Sequence, residues 1–242
     1  MSKYLAIYTR LFLEFGYREF SISMASKIGK MGFKTPLAIV LNRMCDKGLL
    51  ERVSRGKYRV IHPLSILLEQ AGFRWRDKVD IKYHAIIDFL LSRLIVYFNE
   101  NLVSIIIFGS VARGEAREYS DIDILVVIDG APSKYSDRIK LIRSFIGGLE
   151  KLRIDIWQKY GVYPLIDIIM LDKSETYINH PFYLDLIHDG IIVYDKEDFM
   201  KNRINELKLK LKELGSRRIE LPDGRYYWVL KPDLRWGEVI DI

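Results

Sequence analysis

Phe108-Gly109-Ser110-Val111-Ala112-Arg113-Gly114-Glu115 is followed, four residues later, by Ser120-Asp121-Ile122-Asp123-Ile124-Leu125-Val126-Val127. The run 103–108 ahead of the glycine is almost continuously apolar, and 122–128 is the next such run. Two buried strands therefore bracket a turn and a helix start. Gly109 has no Cβ, so an anion such as phosphate can approach its backbone closely. Ser110, at a helix N-terminus, adds a hydroxyl donor to amides that already favour negative charge. Asp121 and Asp123 stand two apart on a strand and share one face. Two adjacent carboxylates repel each other unless a cation lies between them, and oxygen-only ligands suit Mg2+ or Mn2+. An Asp-x-Asp alone is also a solvated strand end or the metal pair of a glycosyltransferase, and Gly-Ser alone is a turn. Together, at this spacing and between two strands, they form a specific signal.

Downstream, strands continue to alternate with helices. The pattern predicts a long amphipathic helix over 136–160, a strand over 165–171, a helix over 181–188, a small strand over 190–194 and a charged helix over 200–214. Pro222-Asp223-Gly224 predicts the turn of a C-terminal hairpin, with Tyr226, Tyr227 and Trp228 beyond it as packing residues or, less favoured, as a base-stacking platform. Upstream, 63–99 reads as helical, with Phe73 and Trp75 as apolar anchors and a polar break around Arg74, Arg76, Asp77 and Lys78. Residues 1–62 read helix, helix, helix, hairpin. A helix covers 3–15, a second runs near 23–31 and ends at Gly32, and a third runs from Thr35-Pro36, as cap and first helical position, to Lys47. Strands at 49–53 and 57–61 flank the tight turn Ser54-Arg55-Gly56. This order resembles a winged helix-turn-helix domain. The chain thus divides into 1–62, a helical linker 63–99, a core 100–195 and a C-terminal helix and hairpin 196–242.

The 242 residues are 49% hydrophobic and 29% charged, a balance that excludes disorder and allows one or two domains. No apolar stretch approaches the roughly 20 residues a membrane helix needs, and Arg10, Glu14, Arg18 and Glu19 interrupt any signal-like N-terminus, so the chain reads as cytoplasmic. Cys45 is alone, which rules out an internal disulfide and a cysteine metal knuckle. The four histidines, 62, 84, 180 and 188, show no paired metal-ligand spacing and read as structural, while Ser120 reads as a turn cap. The net charge of +6 is uneven: 1–62 carries twelve Lys and Arg against four acids, +8 locally, leaving −2 for the rest. A basic quarter of this kind suits nucleic acid, with Lys34, Asn42 and Arg43 of the third helix at the bases or backbone and Arg52, Arg55 and Lys57 of the wing on phosphates. Winged helices also serve as protein-docking modules.

The Gly-Ser, ten-residue, Asp-x-Asp spacing resembles the nucleotidyltransferase superfamily that includes DNA polymerase beta and the minimal nucleotidyltransferases. The wider resemblance covers about 100–195, including His188-Asp189-Gly190-Ile191-Ile192-Val193-Tyr194, and the C-terminal hairpin more loosely resembles stand-alone archaeal members. It implies an α/β core with a mixed sheet, and metal-dependent transfer of a nucleoside monophosphate, AMP from ATP before others, to an acceptor hydroxyl. Asp121 and Asp123 would hold Mg2+ or Mn2+ as catalytic ligands, with a third acid on a later strand. Asp167 is the candidate for that place, because a charge inside the apolar strand 165–171 is costly unless it is used; Asp172 is the fallback. Gly109, Ser110 and Arg113 would contact the nucleotide, Arg113 being equally readable as a surface arginine. The acceptor is open between nucleic acid, protein and small molecule. The competing class is a DNA-binding regulator or antitoxin-like protein whose core binds nucleotide with little or no turnover.

Overall fold

The protein is described by a computed structural model covering residues 2–28, 35–222 and 225–234. Its first six elements are α1 (Ser2–Phe15), β1 (Phe20–Ser21), α2 (Ile22–Ser26), α3 (Leu37–Asp46), β2 (Leu50–Ser54) and β3 (Lys57–Val60). The strands form an antiparallel sheet in the order β1-β3-β2. Leu11, Phe20, Leu41, Met44 and Tyr58 close a core of their own beneath it. Ser21 caps α2 by accepting from the Met24 amide at 3.2 Å. The expected continuation of that helix to Met31, with Gly32 and Lys34, lies outside the described residues. Thr35 does not cap α3: the helix begins one residue later than expected, at Leu37, after Pro36 in an extended conformation.

The chain continues through α4 (Pro63–Gln70), two 3-10 turns and α5 (His84–Phe98). The segment expected as a linker is packed as core. Ala85, Ile86, Ile87, Leu90, Leu91 and Leu94 of α5 are buried against a second sheet, together with Trp75. That sheet is built from β4 (Leu102–Phe108), β5 (Asp121–Ile128), β6 (Leu165–Asp172) and β7 (Ile191–Asp195) in the order β6-β5-β4-β7. β5 and β6 run parallel and the other pairs antiparallel, giving the mixed sheet that was expected. All seven residues of β4 are buried, as befits a central strand covered on both faces.

α6 (Gly109–Arg113) joins β4 to β5, and α7 (Tyr135–Ile146) and α8 (Glu150–Tyr160) make the crossover to β6. The single helix expected over 136–160 is broken by Gly147-Gly148, Gly148 taking a φ of +87° that favours glycine. Arg93 of α5 secures the break by donating to the carbonyls of Ser144 and Gly147. The opposite face of the sheet packs on α9 (Tyr183–Asp189) and α10 (Phe199–Glu213), through Ile106, Leu125 and Val127 against Leu186, Met200 and Leu207. β8 (Arg217–Glu220) and β9 (Tyr226–Val229) close the C-terminal hairpin; Asp223 and Gly224 of its expected turn lie outside the described residues. Among the described residues no helix is long and apolar enough to cross a membrane.

Candidate active site

The carboxylates of interest stand at the start of the parallel pair. Asp121 and Asp123 alternate with the buried Ile122 and Ile124, so both lie on the α9 face of the sheet. Asp123 is the register partner of Asp167 on β6 and of Phe108 on β4. In a parallel pair, partners point to the same side, and Asp167 joins the first two on one face. Asp167 is exposed on an edge strand, not buried in an apolar one. The cost argument that picked it out therefore fails, and its register with Asp123 is the physical reason to consider it.

Burial first, then the charges of Asp167 and Asp121, push the Asp123 carboxyl up to about 6; nearby Arg113 pulls it back and Asp185 pushes it further. The oxygen-rich, mutually repelling set fits a hard divalent cation such as Mg2+. Among the described residues, no three Asp, Glu, His or Cys side chains converge into a ready-made cage. The three acids share a face and a field instead.

Gly109, the first residue of α6, has a φ of +69°, and a Cβ there would stand 2.0 Å from Oδ2 of Asp123. Its lack of a side chain therefore makes room for the aspartate, in addition to any approach by phosphate. Ser110 follows in the first turn, half-buried. Arg113 lies at the end of α6, where its Nε donates to Glu115 at 2.7 Å and its Nη1 to Asp189 at 3.2 Å. It is thus neither a solvated arginine nor unengaged.

Asp172 stands five residues beyond Asp167 on β6, about 17 Å along the strand. Its carboxylate accepts from the Gly130, Ala131 and Ser174 amides and the Ser174 hydroxyl, which hold it down at about 2. It caps the following 3-10 turn and is engaged by those four donors. Ser120 caps its turn as expected, accepting from the Arg117 amide at 2.8 Å.

A second layer went unread in the sequence. Asp185 and Asp189 are one helical turn apart on α9 and present one face. Asp189 takes Arg113 and, at 2.5 Å, His188 Nδ1. Asp185 accepts from the hydroxyl of Tyr226, whose ring lies 3.9 Å below the guanidinium of Arg218. Burial and Asp185 raise the Tyr226 phenol to about 12. The i, i+4 acids were the available signal; their partners come from the distant hairpin.

Of the six residues expected at nucleic acid, Lys34 lies outside the described ones. Arg43, Arg52, Arg55 and Lys57 are exposed. The Asn42 side chain accepts from Arg52 and from Tyr58, at 3.0 Å for the latter, and so is tied into its own sheet.

Residues 86–183 match the model of the nucleotidyltransferase domain. A Methanocaldococcus jannaschii protein designated a candidate protein adenylyltransferase is 30% identical over 131 residues, which cover 53% of this chain and 83% of the relative. Two solved structures resemble it more distantly. A candidate nucleotidyltransferase from Sulfolobus solfataricus is 24% identical over 56% of this chain and 91% of its own, with a TM-score of 0.30. The spectinomycin adenyltransferase of Enterococcus faecalis is 15% identical over 52% of this chain and 64% of its own, with a TM-score of 0.33. From the domain match and the Methanocaldococcus relative together, the chain belongs to the nucleotidyltransferase domain family and is a nucleotidyltransferase.

Proposed function

We propose that this enzyme transfers AMP from ATP to a hydroxyl of a protein, with Mg2+ or Mn2+ held by Asp121, Asp123 and Asp167. The observation that carries the reading is the register of Asp123 with Asp167, two residues from Asp121 on the same face. Gly109 and Ser110, at the head of α6, are the proposed cradle for the triphosphate. Arg113, at the end of the same helix and acting through its charge on Asp123, is the proposed cation beside that cradle. The acceptor hydroxyl oxygen attacks the α-phosphorus and releases its proton to solvent; the bond to the bridging oxygen breaks, and pyrophosphate leaves with its electron pair. The bound ion would stabilise charge on the entering and leaving oxygens. Asp167, exposed on the edge strand, is the most open of the three carboxylates and the proposed one on the acceptor side. The protein acceptor is favoured by the designation of the Methanocaldococcus relative. Labelled ATP with Mg2+ and cell extract tests the reading: label on protein supports it, and label confined to RNA or small molecules refutes the acceptor.

The α1-β1-α2-α3-β2-β3 order supports assigning 1–62 as a winged helix-turn-helix. We propose 63–195 as the catalytic unit, since α5 packs in its core, and 196–242 as its C-terminal extension. Arg43, Arg55 and Lys57 are exposed without an acidic partner among the described residues, which favours nucleic acid as the ligand of the first unit. DNA affinity falling steeply with salt is the expected signature, and no DNA or RNA binding at low salt would remove this role.

A further inference from the structure

β6 is an edge strand of the catalytic sheet, and its outer edge is closed over only part of its length. At the end far from the carboxylates, the Met170 carbonyl accepts from Arg138 Nη1 at 3.0 Å, and the Asp172 amide donates to Glu175 Oε2 at 2.7 Å. Arg138 and Glu175 are themselves joined by hydrogen bonds of 2.6 and 2.9 Å. The pair supplies a donor and an acceptor where a neighbouring strand would stand. It also fixes the phase of the edge. Backbone groups alternate along a strand, so the even-numbered residues of β6 turn their N–H and C=O away from β5. Ile166 and Ile168 share that phase, and among the described residues nothing bonds to them from outside the sheet. Leu165 is 50% exposed and Asp167 is exposed as well, so this half of the edge is open. Edges left unpaired are ordinarily covered or blunted, because they invite another strand. Here the open stretch is the one that carries Asp167.

The side chains of β6 sort by the same alternation. Leu165, Asp167 and Ile169 turn to the α9 face, where Asp123 is the register partner of Asp167. A strand added alongside would place every second side chain on that face. The residue opposite Asp167 would belong to a pair without mutual backbone bonds. In an antiparallel ladder such pairs bring side chains closest, with Cα atoms about 4.5 Å apart. Residues two positions to either side would meet Leu165 and Ile169, one exposed and one half-buried apolar side chain.

We propose that the protein acceptor binds as an extended segment paired antiparallel to the open half of β6. The serine, threonine or tyrosine that receives AMP lies opposite Asp167, with apolar residues two positions before and after it. The inference rests on the reading of a protein acceptor and specifies how that acceptor is held. Backbone bonds to Ile166 and Ile168 supply affinity that many sequences share, while Leu165 and Ile169 supply the preference among them.

Short peptides with a central tyrosine, serine or threonine, given to the full chain with labelled ATP and Mg2+, test this. ATP affinity is measured beside transfer. A peptide with leucine two positions before and after the central residue should be labelled. Replacing both leucines by glutamate should lower kcat/KM by roughly 10–100-fold, the loss of apolar burial. N-methylation of the two residues adjacent to the centre, whose amides would face β6, should cost roughly 10-fold or more. N-methylation of the leucines, whose amides would face away, should cost little. Leu165→Lys should reverse the preference at one flank, so that a glutamate there is accepted better than leucine. An equal effect of N-methylation at all four positions would overturn the edge pairing, as would an unchanged flank preference in Leu165→Lys. A matching loss of ATP affinity in Leu165→Lys would remove that residue from the acceptor groove and overturn the proposal with it. Label on proteins of a cell extract, with no peptide of the set labelled, would overturn the pairing and leave the protein acceptor standing. No label on peptide or protein, while ATP still binds, would overturn both.

Discussion

Gly109 and Asp123 are built around each other: a methyl group on the glycine would stand 2.0 Å from the aspartate's Oδ2, closer than any real contact. The glycine also holds a φ of +69°, which an L side chain adopts only at a cost. Gly109→Ala should therefore lower stability by about 1–3 kcal/mol and remove metal-dependent transfer by displacing the Asp123 carboxylate. Thermal melts beside a transfer assay check this. Parental transfer in Gly109→Ala would mean that the position of this carboxylate does not matter to the chemistry. ATP binding without metal separates the two duties of the glycine, since only a role in phosphate approach predicts its loss there.

Asp123 is crowded by like charges from Asp167 and Asp121. Asp123→Asn relieves that repulsion, so the metal-free protein at neutral pH should melt no lower than the parent. The same change should raise the barrier to transfer by about 3 kcal/mol or more, roughly 100-fold in rate. Stability and activity moving in opposite directions is the signature of a site held against its own electrostatics. A variant that is both less stable and fully active would assign Asp123 to structure.

How much of this was legible follows from how local each feature is. Gly109, Ser110 and the Asp121–Asp123 pair lie within fifteen residues, and their strand-turn-strand setting is written in the apolar runs beside them. The reason for choosing Asp167 does not hold: its burial was inferred from neighbours, but an edge strand exposes alternate residues whatever their neighbours are. The split between α7 and α8 was missed because the apolar period continues across Gly147-Gly148. Asp185, His188 and Arg218 meet only because the hairpin folds back on α9, and nothing in the spacing of one segment announces a partner 30 or more residues away.

Asp172 and Asp167 share a strand but not their surroundings: the first is held by hydrogen bonds and the second is exposed. Four hydrogen bonds to Asp172 stabilise the loop after β5 and the turn after β6. Asp172→Ala should cost about 1–2 kcal/mol, as loss of a helix cap does, with metal-dependent transfer intact once the protein is folded. Asp167→Asn should show the reverse, a parental melting temperature with transfer lost. Urea titrations of the two variants, each paired with a transfer assay, distinguish them. Loss of transfer in a folded Asp172→Ala would return Asp172 to consideration as the third acid.

One acid-sensitive point of the fold lies at the seam between the first sheet and α5. Glu51 of β2 accepts from Arg59 at 2.6 Å and from His84, at the start of α5, at 2.7 Å. His84 Nε2 faces the Val79 carbonyl at 2.9 Å. Both ring nitrogens therefore lie within hydrogen-bond distance of an oxygen, which holds the ring between Glu51 and the Val79 carbonyl. Burial pushes the Glu51 carboxyl up, but the His84 hydrogen bond and the Arg59 charge outweigh it and bring it to about 2, from an ordinary 4.5. A carboxylate with a depressed folded value favours the native state above its unfolded value, and that contribution disappears as pH falls through the folded one. Stability should accordingly decline between pH 4.5 and about 2. Glu51→Gln removes this charge while leaving Arg59 and His84 covered, so it should cost about 3–5 kcal/mol at neutral pH and flatten the acid slope in that window. Equilibrium unfolding of both proteins across pH measures each effect. A Glu51→Gln variant as stable as the parent at pH 7, with the same acid slope, would show that the seam is not held by this triad.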